Sequence, residues 1–339
     1  MTIRHCLSFD VEEHFQVSAF ASPMRRRHWD FFESRVERST EKILHLLEAK
    51  RVKATFFVLG WVAERRPSLI RRLAECGHEI ASHGYAHELI TEQTPTMFRN
   101  DVRKAKQILE DLLGSAVHGY RAPSFTITQE TKWAISILAE EGYTYDSSIF
   151  PILHDRYGMP GMYPWSHQLK TDSGLLWEIP PSTVKLGGVT LPIAGGGYFR
   201  LFPYPILHRL MKRVETQGRQ LVLYFHPWEL DPEQPKMKGS FISRFRHYLN
   251  LGKTEERLAR LLDDYQFGPI REVIAPINQM FIERLGSLVR GHSYDRKNGT
   301  RDQAAKAPAD KANAQSQMHF QSVDEGTVYS NVIGAQVDL

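Results

Sequence analysis

Short apolar runs alternate with amphipathic stretches along this chain, and that alternation constrains its fold more than any other feature. The strand candidates are Ile3–Phe9, Ala54–Leu59, His78–Ser82, Ala116–Arg121, Tyr143–Asp146, Leu176–Ile179 and Gln220–Phe225. Helical patterns lie between them. Ser39 can cap a helix with a stripe of Ile43, Leu44, Leu46 and Leu47. Pro67 opens a second helix that ends before Gly77, and Thr94-Pro95 starts a third that Gly114 stops. Thr128 can cap a fourth, stopped by Gly142, and Tyr204–Gln217 reads as a fifth. Strands alternating with helices imply a parallel sheet, either closed as a barrel or open and doubly wound. Phe150–Trp177 and Pro180–Phe202 are rich in Gly and Pro and break this rhythm, so they read as loops and a small β insertion.

Composition removes several function classes. The chain has 339 residues, 42% hydrophobic and 24% charged, with a formal net charge of +4. That charge is too small and too evenly spread for a nucleic-acid binder. Two cysteines, Cys6 and Cys76, cannot build a zinc cage or a disulfide framework and suit a reducing compartment. No apolar run approaches the ~18 residues of a membrane span, and acidic residues follow the start too closely for a signal peptide. The expectation is a soluble, cytoplasmic chain with no transmembrane segment. From Ser287 the sequence turns polar and small, without apolar period, and reads as a disordered tail over 287–339.

The strand ends carry the chemistry. The first runs into Asp10-Val11-Glu12-Glu13, the third into His83-Gly84-Tyr85-Ala86-His87, the fourth into Arg121-Ala122-Pro123, the fifth into Asp146-Ser147-Ser148 and the last into His226-Pro227-Trp228-Glu229. In a parallel barrel these ends share one face, where active sites are built. Asp10 and Glu12 are two apart, so a strand points both carboxylates one way. His83 and His87 are four apart, so a helical turn can present both imidazoles to one point. Two imidazoles and a carboxylate form a hydrolytic metal set with open positions for water and substrate. A carboxylate left off the metal can act as base, and a histidine from the opposite side can protonate a leaving group. Each piece alone has a plainer explanation, as surface histidines, a strand cap or a turn arginine. Five of them in register with the strand rhythm do not. Because these residues run from Asp10 to His226, residues 1–286 read as one unit.

At this point the sequence resembles the polysaccharide deacetylases of carbohydrate esterase family four. Ser8-Phe9-Asp10-Val11-Glu12 is similar to the family's first motif, His83–His87 to its second and Arg121-Ala122-Pro123 to its third. Asp146-Ser147-Ser148 and Leu223-Tyr224-Phe225-His226 are similar to the fourth and fifth. The stretches PPSTVKLGG, GGGYFRL and FHPWELDP resemble the subgroup associated with bacterial exopolysaccharide and exosortase gene clusters. The resemblance implies an α/β fold, a distorted barrel of about seven parallel strands, and hydrolysis of N-acetyl groups on amino sugars of an oligo- or polysaccharide, free or lipid-linked. It implies Asp10 as base, Glu12, His83 and His87 as ligands of a divalent metal, and Arg121 as the residue holding Asp10. His226 would be the general acid, with Asp146 orienting it. Zinc is the default metal, with cobalt, nickel or iron as alternatives. Tyr85, Phe125 and Trp228 are candidate sugar-stacking residues, as is Trp61.

Two departures from the family pattern stand out. Val11 separates the acids that are adjacent in the family; strand geometry favours Glu12 as ligand, and Glu13 serves only if the strand breaks at Val11. Gly84 stands where a hydroxyl residue is usual, which removes a side chain that steadies the motif. Two rival functions remain at this stage: an amidohydrolase of a small ureide or cyclic imide, and a non-catalytic glycan-binding protein. The oligomeric state is open.

Overall fold

In the computed structural model the seven strand candidates all form strands, and they lie side by side. The structure describes residues 3–18, 20, 26–154, 157–275 and 336–338. Numbered in chain order, the strands are β1 (Arg4–Val11), β2 (Thr55–Val58), β3 (Glu79–Ser82), β4 (Gly119–Tyr120), β5 (Tyr145–Asp146), β6 (His167–Thr171), β7 (Gly174–Glu178), β8 (Thr183–Leu186), β9 (Val189–Pro192), β10 (Val222–Phe225), β11 (Gln266–Gly268) and β12 (Gln336–Asp338). The main sheet runs β10-β1-β2-β3-β4-β5-β7, every pair parallel. Among the described residues no eighth strand closes it. Instead the segment after β7 crosses to β10: Ser182 N donates to Val222 O at 3.1 Å and Tyr224 N to Ala194 O at 3.1 Å. The result is a distorted seven-stranded (β/α) barrel.

Register aligns the strand ends. Phe9 pairs with Phe225 and Phe56, Val58 with Ser82, Ser82 with Tyr120, Tyr120 with Asp146, and Asp146 with Glu178. The polar residue after each apolar run therefore arrives at the same rim. Side chains alternate across the wall. Cys6, Phe57, Ala81, Tyr145 and Trp177 fill the barrel interior above a plug of Ile270, Val273 and Ile274. Phe9, Phe56 and Phe225 face outward, Phe9 and Phe56 stacked at 5.1 Å, under a layer of helices. Leu69, Ile70 and Leu73 of the helix Pro67–Glu75 and Val102 and Leu109 of Pro95–Leu113 are buried in that layer. Each contributes about 1.5–3 kcal/mol by leaving water.

The helix boundaries follow the expected signals, with one exception. Thr94 Oγ1 caps Pro95–Leu113, which ends on Gly114 in a left-handed conformation. The first helix starts at Val36, so Ser39 sits inside it and caps nothing; the helix entrance is held by Glu13, whose Oε2 accepts from Arg35 N at 2.9 Å. The β insertion is the β8–β9 hairpin. Strand β6, antiparallel to β7, and β11, beside the start of β1, are additions to the expected set. The helix Gly196–Leu201 replaces the tight turn that the glycine triplet suggested. The expected disordered tail lies outside the described residues except for Gln336–Asp338, which pairs in parallel with β6. Among the described residues no helix is long and apolar enough to cross a membrane.

Candidate active site

Three side chains meet at the rim in an arrangement that hydrogen bonding does not explain. Glu12, His83 and His87 are buried, and their donor atoms lie within 4.8 Å of one another. Glu12 Oε2 is 2.7 Å from His87 Nε2 and 4.0 Å from His83 Nε2, yet neither contact has hydrogen-bond geometry and the oxygen has no other partner among the described residues. Two of the other atoms are committed elsewhere, while His87 Nδ1 is buried with no partner among the described residues. Glu12 Oε1 accepts from Trp228 Nε1 at 3.0 Å. His83 Nδ1 donates to Arg121 O at 2.8 Å, which leaves the Nε2 lone pair facing Glu12. A ligand histidine held by a backbone carbonyl through its second nitrogen is the usual support of a metal site. Burial opposes charge on Glu12, but His87, His226 and His83 outweigh it and hold the carboxyl below the usual range. Burial pushes His83 down to about 4, so it presents a neutral imidazole. The donor set, the idle lone pairs and the fixed outer atoms fit a divalent cation.

The two histidines do not sit on a helical turn as their spacing suggested. β3 ends at Ser82, and the chain reverses through Gly84 at φ +74° and His87 at φ +50°. This turn brings the imidazole centroids to 5.3 Å. A Cβ on Gly84 would stand 2.6 Å from Asp101 Oδ2. Asp101 occupies that space to accept from Tyr85 N at 2.8 Å and Ala86 N at 3.3 Å. The hydroxyl missing at Gly84 is thus replaced by a carboxylate from the neighbouring helix.

Asp10 stands beside this cluster on the interior face of β1. Arg121, fully buried, donates to Asp10 Oδ1 at 2.7 Å and to Ser8 Oγ at 2.8 Å, and binds Ser147 through O and Oγ. Its guanidinium lies 4.1 Å from the Phe57 ring. Glu13 turns away, held by Ser34 Oγ and Arg35 N. β1 runs unbroken through Val11 and delivers Glu12 on the site's side, so Glu13 is a helix-entrance residue.

Opposite Asp10, His226 Nε2 is 3.9 Å from Asp10 Oδ2 and 3.8 Å from Glu12 Oε1. Its orienting carboxylate is Glu229, not Asp146. Glu229 Oε1 accepts from His226 Nδ1 at 2.8 Å and from His226 N at 3.1 Å, while Oε2 accepts from Arg200 Nε at 2.9 Å. Pro227 opens a single helical turn, which brings the residue three positions on back to the histidine. Burial disfavours charge on His226, but Glu12, Glu229 and Asp10 reverse this and raise it to about 9. Asp146 is committed to another pair. Register sets it beside Glu178, and its Oδ1 accepts from Ser148 Oγ. Burial pushes Asp146 up to about 6, and burial plus the Asp146 charge raises Glu178 well above the usual carboxyl range.

A cavity of about 440 Å³ opens over these groups. Phe125 and Trp228 line it, together with His154, Tyr157 and Tyr224, which pattern reading did not single out. Trp228 also stacks on His226 at 4.9 Å. Tyr85 is elsewhere: the reversal at Gly84 sends it outward, where its hydroxyl donates to Glu64 and Lys104 covers its ring at 3.3 Å. Trp61 packs edge-on against Trp29 at 5.4 Å, outside the cavity.

A family model described as polysaccharide deacetylase matches residues 28–145. Residues 28–145 therefore carry the domain of that family. A second model, described as a domain of unknown function, DUF3473, matches residues 147–275, which include His226, Glu229 and Arg200. The chain is 40% identical over 96 residues to a peptidoglycan-N-acetylglucosamine deacetylase of Bacillus cereus, covering 28% of this chain and 35% of that protein. It is 29% identical over 108 residues to a peptidoglycan deacetylase of Helicobacter pylori, covering 32% and 36%. The matches thus span little more than a third of these curated relatives. A crystal structure of a Mycobacterium smegmatis protein assigned as a polysaccharide deacetylase shares the fold. It has a TM-score of 0.52 and 20% identity, over 90% of this chain and 96% of that one.

Proposed function

We propose that the chain is a metal-dependent hydrolase that removes N-acetyl groups from amino sugars of a glycan. The observation that carries this reading is the placement of two opposed proton carriers about one ligand cluster. Asp10, held by Arg121, lies on one side of Glu12, His83 and His87, and His226, held by Glu229, lies on the other. Glu12, His83 and His87 would hold a divalent cation, zinc by default, which when bound polarises an acyl oxygen and lowers the pKa of water. Asp10 accepts the proton of the attacking water, and Arg121 keeps its carboxylate in place. His226 carries its second proton on Nε2 toward the cavity because Nδ1 is committed to Glu229. It donates that proton to the departing amine nitrogen. Phe125, Tyr157 and Trp228 supply apolar edges to the cavity in which the sugar would sit. A relative's name points to N-acetylglucosamine as the sugar, and the resemblance of the FHPWELDP stretch to the exopolysaccharide-associated subgroup supports a role in exopolysaccharide biosynthesis. Residues 1–286 serve as the catalytic unit.

The test is acetate release from N-acetylglucosamine oligomers by the full chain, with chelator and with zinc restored. Release abolished by chelator, recovered with zinc, and lost in both Asp10→Asn and His226→Ala supports the reading. Undiminished release in those variants rejects the mechanism. Metal-dependent opening of a cyclic imide without acetate release assigns the site to a different substrate.

A further inference from the structure

The helix Phe241–Tyr248 has an outer face that nothing among the described residues covers. Phe241 is 83% exposed, Ile242 61% and Phe245 51%. These positions fall on one side of a helix, and the Phe241 and Phe245 rings stack at 6.5 Å. The inner face, by contrast, is anchored. His247 is buried, lies 4.2 Å over Trp228 and bonds Gln234 Oε1 at 2.7 Å. Arg200 caps the helix end through the carbonyls of His247 and Leu249. An exposed apolar patch on a rigid, well-anchored element marks an interaction surface.

Charge identifies the partner. From Gln234 to Thr254 the chain carries Lys236, Lys238, Arg244, Arg246 and Lys253 and no acidic residue. Lys236, Lys238, Arg244 and Arg246 are exposed, and neither Arg244 nor Arg246 forms an ion pair among the described residues. Apolar side chains surrounded by exposed cations match the interface of an anionic bilayer, where rings enter the acyl boundary and basic groups meet headgroups. Arg246 lines the active-site cavity, so the patch borders its mouth.

We propose that Phe241, Ile242 and Phe245, with Lys236, Lys238, Arg244 and Arg246, dock the protein on an anionic membrane surface with the cavity mouth toward the lipid. The docking is independent of the reaction. The substrate class it favours, a glycan carried on a membrane lipid, rests on the deacetylase reading. Flotation of the full chain with vesicles tests it, using phosphatidylcholine alone and phosphatidylcholine mixed with phosphatidylglycerol. The expected result is binding to the mixed vesicles at least tenfold above the neutral ones, weakened by salt. Phe241→Ser with Phe245→Ser should lower that binding about tenfold or more, and Lys238→Gln with Arg244→Gln by a similar factor. Acetate release from a soluble oligomer should stay at the wild-type level in both variants. Absent binding, equal binding to both vesicle types, or unchanged binding in either variant overturns the proposal. So does a wild-type dimer that the Phe241→Ser/Phe245→Ser variant dissolves, because the face would then belong to a second copy. A chain that floats but releases no acetate overturns the reaction and supports the docking surface.

Discussion

Glu229 and His226 are joined twice, through the imidazole Nδ1 at 2.8 Å and the backbone N–H at 3.1 Å. The carboxylate fixes which nitrogen faces the cavity and keeps the ring charged. His226 titrates at about 9, raised against burial by Glu12, Glu229 and Asp10. A general acid with a raised pKa is competent below that value and fails as pH rises through it. A cation on Glu12 would take up much of that residue's pull, which leaves Glu229 as the main support in the loaded site. Glu229→Gln should therefore lower kcat about ten- to a hundredfold and move the alkaline limb of the pH–rate profile to lower pH. Gly196→Ala provides an independent route to the same shift, since its added methyl would stand 2.0 Å from Glu229 Oε2 and displace the carboxylate. An unmoved alkaline limb in both variants would show that Glu229 does not support the acid.

The adjacent acids Glu12 and Glu13 should separate cleanly. Glu12→Gln removes an anionic donor from the His83–His87 cluster and should weaken zinc binding about ten- to a hundredfold or more by calorimetric titration. Glu13→Gln leaves that cluster intact. It loosens Ser34 and the backbone N–H of Arg35, so its effect should be on thermal stability, about 1–3 kcal/mol. Comparable zinc affinity in wild type and Glu12→Gln would remove Glu12 from the ligand set.

Arg121 makes four polar contacts while fully buried, so its replacement has two separable effects. Arg121→Met leaves the buried Asp10 without its hydrogen-bonded cation and should cost about 3–5 kcal/mol in urea unfolding. Arg121→Lys keeps the charge but has no planar fork to span Asp10 and Ser147. It should regain part of the stability while acetate release per folded molecule stays low. Full activity in Arg121→Lys would mean that only the charge at this position matters.

These outcomes also show how far the sequence could be read. Asp10, His83, Arg121 and His226 were legible because each follows an apolar run, and parallel register turns that one-dimensional feature into a shared rim. Glu229 was not assigned, although His226-Pro227-Trp228-Glu229 carries a local signal. Proline at the first helical position and Glu three residues beyond the cap are the pattern of a capping box. Arg200 had no such signal, since a buried cation inside an apolar stretch declares its partner only in three dimensions. Tyr85 lies away from the cavity for a backbone reason. Aromatic character within a motif says nothing of direction, and the left-handed Gly84 reverses it.

The Asp146–Glu178 pair should leave a mark on stability at neutral pH. Both carboxyls are fully buried, and burial raises both, Asp146 to about 6 and Glu178 further with the added repulsion of Asp146. In the unfolded chain both ionise near the ordinary carboxyl value of about 4. The native state therefore holds protons that the unfolded state has released, and stability declines as pH rises from about 4 through 6 and beyond. Glu178→Gln supplies a permanent donor to Asp146 without a titrating proton. Its stability should change less over the same range, crossing above the wild type on the alkaline side. Urea unfolding of the metal-free chains between pH 5 and 9 reads this directly. Parallel pH profiles for wild type and Glu178→Gln would mean that the pair holds no such proton.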